Sequence, residues 1–547
     1  MEKRALLAFA VAMLVITIWS MWLSPRPPEQ QKPPVPEIQQ KPEPPAPRPA
    51  PKPPTAAELS GLSKGPEQHA RPEQTVTVDT PLYVAQFSSR GGRLVSWKLK
   101  DYRQTAAENA PLIDLVSLQP EGNAFPLSLG VNKEIDSAIN GASYQFDKDS
   151  IVLKRSDASA HLHAIAELPS GFRLEKEMVF FADRYLMDLR VSFYDEKGRP
   201  ASPTLGVFWP HTTRKQSGGR WAGFAGPVAY TDQGFKEIKD VEKFEPEGLN
   251  IKWGGYAQKY FLSAIIPLNE GRKQLFLRPT DHSVLVDVTE EVNKSNGSVF
   301  DYRIYLGPKE IKTLKAADYN LDASIDFGFF GILAKPLLYI LIAVNGFTHN
   351  YGIAIIVLTI FIKLLFWPLT HKSYASMKEM QRAQPRIKQI RERFKNDKEQ
   401  MNRELMLLYK THKVNPMGGC FPMLLQIPVF FALYKTLLGS IEMRHAPFLW
   451  WIKDLAAPDY LIHFPAGINF FGIEGIGPLP LVMGGSMLAQ QKMTPTMGDP
   501  MQAKLMMLMP VFFTFLFISF PSGLVLYWLI NNVLSIVQQY YINSRIE

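Results

Sequence analysis

Residues 351–370 read YGIAIIVLTIFIKLLFWPLT. The run has the length and apolar character of a bilayer-crossing helix, which needs about 20 such residues. It carries one charge, Lys363. A lysine at the centre of a membrane helix costs about 2.5–3.5 kcal/mol on insertion scales. Two arrangements relieve that cost. Lys363 precedes Pro368 by five residues, roughly 7–8 Å of helix, so its ammonium can snorkel toward the interface. Alternatively it lines a wet cavity between helices, and an intramembrane charge is by default a functional flag.

Beyond Pro368 the composition inverts. Residues 371–413 hold twelve Lys and Arg against five acids. That excess places the segment in the cytoplasm. Met377, Met380, Ile387 and Phe394 keep near-heptad spacing, as do Met401, Leu405 and Leu408, with Asn396-Asp397 between. The pattern predicts a helical hairpin over 371–414, with Pro385 kinking its first arm. Its basic face suits two partners: anionic lipid, or ribosomal RNA and an incoming chain.

Further apolar runs follow at 421–438, 479–488, 503–520 and 524–542. Residues 446–452, APFLWWI, read as an interfacial segment. Upstream, 325–345 is apolar but carries Lys335-Pro336 near its start and breaks at Asn345-Gly346. A helix lying in the interface over 322–350 is the expectation there, because a span over 336–347 is too short. Residues 1–23 begin with Lys3 and Arg4 and stay apolar to Leu23, which reads as an uncleaved signal anchor with a cytoplasmic N-terminus. Residues 24–73 are rich in Pro, Lys, Glu and Gln and serve as a tether. The count is six spans, with both termini cytoplasmic.

Between tether and helices, residues 74–321 change to period two. Segments such as RLVSWKLK, HLHAIAEL, FRLEKEMVFF and HSVLVDVT alternate, separated by Gly, Pro, Asp and Asn. Many antiparallel strands over this length predict a large β-sandwich. No nucleophile, acid pair or phosphate loop stands out, so no enzyme chemistry is expected. Gly218-Gly219 and Gly254-Gly255 read as turns. His161 and His163 alternate as on one strand face, but no third ligand stands nearby in the sequence, so no metal or other cofactor is expected.

Of 547 residues, 46% are hydrophobic, and the mean hydropathy of −0.08 hides a polar first half and an apolar second half. One cysteine, Cys420, excludes an intrachain disulfide framework and reads as a small apolar residue at a helix end.

Several stretches carry a resemblance. Residues 415–430, NPMGGCFPMLLQIPVF, resemble a helix motif of the YidC-type membrane protein insertases (the YidC/Oxa/Alb family). Asp499-Pro500-Met501-Gln502, Met509-Pro510 and residues 520–527, FPSGLVLY, resemble the last two helices of the same family. Residues 306–310 (LGPKE), 325–328 (IDFG) and 334–338 (AKPLL) resemble its approach to the second helix, and 254–261 (GGYAQKYF) resembles its large periplasmic domain. The resemblance implies a mixed fold: a polytopic α-helical domain with a five-helix insertase core over 351–547, and a supersandwich periplasmic domain. It implies insertion of nascent proteins into the bacterial inner membrane, alone or beside the Sec translocon. It also implies a hydrophilic groove with a single basic residue. Lys363 stands where relatives usually carry arginine, which keeps the charge and loses the bidentate fork. Ribosome contact would fall on the hairpin and the loop over 492–502.

The groove residues expected are Lys363 and Thr359 on one helix, Gln426 on the next, and Trp528, Asn531 and Ser535 on the last. Gln538 and Gln539 suit helix–helix hydrogen bonds instead. The competing classes are a polytopic transporter, which should show an inverted repeat that is not seen, and a membrane-anchored assembly scaffold.

Overall fold

The computed structural model describes residues 72–116, 125–131, 133–168, 171–199, 204–212, 224–245, 250–279, 283–292, 299–411, 421–465, 473–493 and 500–545. The expected anchor over 1–23, nearly all of the tether, Gly218-Gly219, Cys420 and most of the 492–502 loop lie outside them.

Alternation builds the first region. The strand Arg173–Phe181, RLEKEMVFF, buries every second residue because successive side chains leave a strand on opposite faces. Among the described residues there is a nine-stranded sheet. Its centre is Phe261–Pro267, Val299–Pro308, Leu186–Tyr194, Arg173–Phe181 and Ser159–Glu167, in that spatial order and antiparallel throughout. A five-stranded sheet contains Tyr83–Ser88 and Arg93–Arg103, and a four-stranded sheet contains Thr204–Thr212 and Ser283–Val292. Polar atoms on large buried rings tie the sheets together. Trp97 Nε1 donates to the Leu306 carbonyl at 3.1 Å, and the Tyr302 hydroxyl donates to the Leu205 carbonyl at 2.8 Å. Trp97 also stacks on Tyr83, with ring centroids 3.9 Å apart. Lys133–Gly141 forms a short helix, α1, beside these sheets.

Gly254 and Gly255 are not in a turn. They lie mid-strand in Ile251–Ala257, opposite Ile265 and Ala264. A Cβ on Gly255 would meet the Ser263 carbonyl oxygen at 2.1 Å, so this glycine permits a close strand approach that the local sequence mimics as a turn.

Eight helices follow among the described residues: α2 (Ile311–Ala317), α3 (Gly331–Thr348), α4 (Tyr351–Arg393), α5 (Lys398–Thr411), α6 (Phe421–Gly439), α7 (Pro478–Met493), α8 (Pro500–Phe517) and α9 (Ser522–Arg545). The β-domain core runs on into them: Ile311, Leu314, Ile325, Phe327, Ala334, Leu338, Ala432 and Ile441 belong to the same buried cluster as Trp97 and Tyr302. A second cluster joins Leu358, Leu433, Leu437, Leu455, Leu479, Met483, Phe517, Leu524 and Tyr527.

Helix α3 does not break at Asn345-Gly346. It continues to Thr348 and ends at His349, whose φ is 51° and whose N–H bonds the Asn345 carbonyl at 2.7 Å. Asn350 then caps α4, its side chain accepting from Ile353 N–H at 3.1 Å. With the preceding turn, residues Gly328–Thr348 make 21 residues of mean hydropathy 1.7, long and apolar enough to cross a membrane. The span over 336–347 is short because it begins at Pro336 and leaves out residues 328–335.

Helix α4 has 43 residues and passes Pro368 and Pro385 without ending. At about 1.5 Å per residue it spans roughly 65 Å, about twice a hydrocarbon core. Its basic end therefore stands clear of the apolar layer. A turn at 394–397 follows, and Asp397 accepts from the N–H groups of Glu399 and Gln400 to start α5. On the other surface of the helical region, Leu364, Leu365, Phe512, Val511 and Val537 are exposed. So broad an apolar surface fits contact with lipid and not with water.

Candidate functional site

The site is a polar seam between α4 and α9. On α4, polar side chains fall at Thr359, Lys363, Thr370 and Tyr374, steps of four, seven and four that keep one helix face. On α9 they fall at Asn531, Asn532, Ser535, Gln538 and Gln539. The helices run parallel. Lys363 Nζ donates to Ser535 Oγ at 2.6 Å, Gln538 Nε2 to Thr370 Oγ1 at 2.7 Å, and Lys378 Nζ to the Asn543 carbonyl at 2.9 Å, so both numberings rise together.

Ser535 is the hub. Its hydroxyl donates to the Asn531 carbonyl at 2.7 Å, and it accepts from Lys363 and is bonded to the Tyr374 hydroxyl. A hydroxyl has one hydrogen and two lone pairs, so Ser535 is saturated. Lys363 is not. An ammonium has three donors, and Ser535 is the one acceptor it has among the described residues. No carboxylate there offsets its charge.

Other polar groups extend the seam. Asn532 Nδ2 donates to Ser486 Oγ of α7 at 3.1 Å, and Gln539 Nε2 to the Met493 carbonyl at 2.7 Å. Gln538 and Gln539 thus make the helix–helix bonds expected of them. Their Oε1 atoms are buried with no protein partner, which leaves two acceptors facing inward.

The expected groove residues separate. Lys363, Ser535 and Asn531 come together, Asn531 through its backbone carbonyl. Thr359 lies one turn above Lys363, but it is 1% exposed and its hydroxyl donates to its own helix at Ile355 O, 2.6 Å. Gln426 is drawn to Tyr527, Nε2 to hydroxyl 3.2 Å. Trp528 packs in an aromatic cluster, with centroids 5.0 Å from Phe430 and 5.2 Å from Phe517. Tyr374, Thr370, Asn532, Ser486 and Tyr527 are not among the residues the sequence marks for the site. Helical spacing from Lys363 finds the two on α4. Nothing local marks Tyr527, because its apolar neighbours read as core.

The seam is closed at one end. On α4 the cluster members Ala354, Ile355 and Leu358 precede the polar residues, with Ile362 between Thr359 and Lys363, and on α9 Leu524, Val525, Leu526 and Tyr527 all precede Asn531. Helix α6 packs on α3 and donates Thr436 Oγ1 to the Ala334 carbonyl at 3.2 Å. Its polar Gln426 comes before its apolar Leu433 and Leu437. The polar atoms therefore gather toward the basic ends of the helices, and the apolar plug lies toward the β-domain.

Two family models match. One, described as 60Kd inner membrane protein, matches residues 343–547. The other, described as YidC periplasmic domain, matches 75–340. The chain is 41% identical over its whole length to the membrane protein insertase YidC of Syntrophus aciditrophicus, and all of that protein is covered. It is 39% identical to the membrane protein insertase YidC of Pelobacter propionicus, again with full coverage of both. Among solved structures, an active YidC insertase crystal structure with its first transmembrane domain resolved is 16% identical, covering 89% of this chain and 97% of that one, with a TM-score of 0.39.

Proposed function

This chain belongs to the YidC family of membrane protein insertases, and from that premise we propose that it inserts client segments through the α4–α9 seam, with Lys363 as the single positive charge the client meets. The family is one of inner-membrane proteins with a periplasmic domain. The observation that carries the proposal is the state of Lys363: part-buried among apolar helices, bonded to one neutral hydroxyl and facing no carboxylate among the described residues. Two of its N–H donors remain for water or for an acidic client side chain.

The proposed sequence of events follows from burial and charge. Water enters the seam from the cytoplasmic side, where Gln538 and Gln539 present unpaired oxygens. A polar client segment lodges there without full desolvation. Acidic residues in it are drawn to Lys363. Its apolar stretch then leaves sideways into lipid across the exposed residues of α4 and α8, and apolar burial drives the step. No nucleotide is required for it. The apolar plug of Leu358, Leu433 and Leu524 keeps the seam shut on the far side. Six spans, cytoplasmic termini, an interfacial setting for α3, cooperation with the Sec translocon, and ribosome or anionic-lipid contact at α5 and the end of α4 belong to the same proposal. Twelve bases over 371–413 support the last.

Photocrosslinking during synthesis of a short acidic-tailed membrane protein tests the reading. Probes belong at Ile360 and Ile427, which are exposed beside Lys363 and Gln426; Thr359 and Trp528 are too enclosed. Crosslinks from both to the apolar stretch of the nascent chain are expected, with none from Phe347 on α3. Equal labelling at all three positions would refute a defined seam.

A further inference from the structure

The β-domain carries a cluster that the insertion reading does not use. His161 and His163 lie two residues apart on Ser159–Glu167, so both rings leave the same face. The adjacent strand Arg173–Phe181 runs antiparallel with Glu177 directly opposite His163. Pairing of the strands thus supplies the third ligand that the sequence lacks nearby. His161 Nδ1 lies 3.0 Å from Glu177 Oε1, and one donor atom from each of the three residues falls within 4.8 Å of the others. The imidazole rings are nearly parallel, at 15°, with centroids 6.4 Å apart.

We propose that His161, His163 and Glu177 form a binding site for a divalent transition-metal ion of the zinc class, bridging two neighbouring strands of the nine-stranded sheet. Ligands about 2.0–2.1 Å from a tetrahedral zinc stand about 3.3 Å from one another. The His161–Glu177 pair already has almost that separation. His163 closes the remainder by side-chain rotation, which its exposure allows. Its ring has no hydrogen-bond partner among the described residues, so binding breaks no bond there. Two imidazoles and one carboxylate suit zinc, nickel or copper; magnesium and calcium prefer all-oxygen sets.

The neighbours are compatible with an added cation. Arg190 Nη1 stands 3.9 Å from Glu177 Oε2, but its guanidinium is held by Asp301, Nε to Oδ1 2.7 Å. Lys148 donates to the His161 carbonyl and lies 3.7 Å from Asp147. Asp147 itself accepts from the His163 N–H at 2.8 Å. His161 and Glu177 also line an open cleft of about 480 Å³ with Arg190, Asn269 and Asp301, which gives ion and water a way in.

The inference does not rest on the insertase reading. Its test uses the full chain, purified in detergent without a histidine tag, stripped with chelator and titrated with zinc alone by calorimetry at pH 7.5. One ion per chain with an affinity on the order of micromolar is expected. The H161A/H163A variant should bind one ion fewer, and E177Q should bind at least tenfold more weakly. Cobalt should give visible d–d absorption that zinc abolishes. All three side chains are at least partly exposed, so unchanged thermal melting of the metal-free variants reports an intact fold. Equal stoichiometry in the parent and H161A/H163A, or no binding by the parent, overturns the proposal.

Discussion

Two lysines, one fully and one partly buried, separate the two regions of the molecule. Lys176, in the β-domain, is 1% exposed and points at three backbone carbonyls: Gly91 at 2.9 Å, Gly92 at 3.0 Å and Leu127 at 3.3 Å. The Tyr144 ring lies 4.9 Å from its nitrogen. All three donors are used, so this charge holds loops together. Lys363, in the helical core, has one neutral acceptor. A buried charge with all its donors used acts as a structural tie, and the proposed role of Lys363 draws on the donors it leaves free.

The sharpest way to break the comparison is to reverse each charge's role. Lys363→Glu should abolish insertion of acidic-tailed clients, since attraction becomes repulsion of about 4 kcal/mol at 4 Å and an effective dielectric of 20. Lys363→Arg should retain most activity. Insertion assayed in membrane vesicles decides it, and normal insertion by the glutamate variant would remove the electrostatic role. Lys176→Met should do the opposite, destabilising the β-domain by about 3 kcal/mol because three buried carbonyls lose their donor. Thermal melting of the full chain measures this, and an unchanged melt would mean that Lys176 is no tie.

Glu290 sharpens the contrast within the β-domain. It is fully buried, no side chain hydrogen-bonds its carboxylate among the described residues, and burial, only partly offset by Lys273 and the Asn269 backbone, pushes its carboxyl up to about 7. The folded form therefore binds a proton between about pH 4.5 and 7 that the unfolded chain has released. Stability contributed by this group falls as pH rises through that window. Glu290→Gln should raise stability at pH 8 by about 1–3 kcal/mol and give little at pH 5. Melts at the two pH values give the sign. The smallest effect belongs to Ser535→Ala. Lys363 loses its protein acceptor but keeps its charge, so insertion should fall by a factor of a few. Loss as complete as in Lys363→Glu would make the serine, and not the charge, the essential group.

Local pattern was enough for much of this. The period-two runs over 74–321, the apolar run with Lys363 inside it, and the basic stretch after Pro368 are properties of neighbours in sequence, because side-chain periodicity and charge density are local. They sort strands from helices and mark which end of α4 is basic. The failures also have local causes. Asn345-Gly346 looks like a stop, but the helix end is set one turn later, where His349 adopts a left-handed conformation and Asn350 caps the next helix. Gly254-Gly255 looks like a turn until the Ser263 carbonyl shows why no side chain fits.

What only the tertiary structure decided is which polar atoms meet. The sequence placed Lys363 on a helix face but could not choose between snorkelling and an interior partner, since Ser535 lies 172 residues away. It puts Thr359 and Trp528 with Lys363, yet one satisfies its hydroxyl on its own helix and the other packs against Phe430 and Phe517. It gave His161 and His163 without a third ligand, because Glu177 becomes their neighbour only through strand register. Periodicity fixes the face a residue occupies, whereas packing between distant segments decides what that face meets.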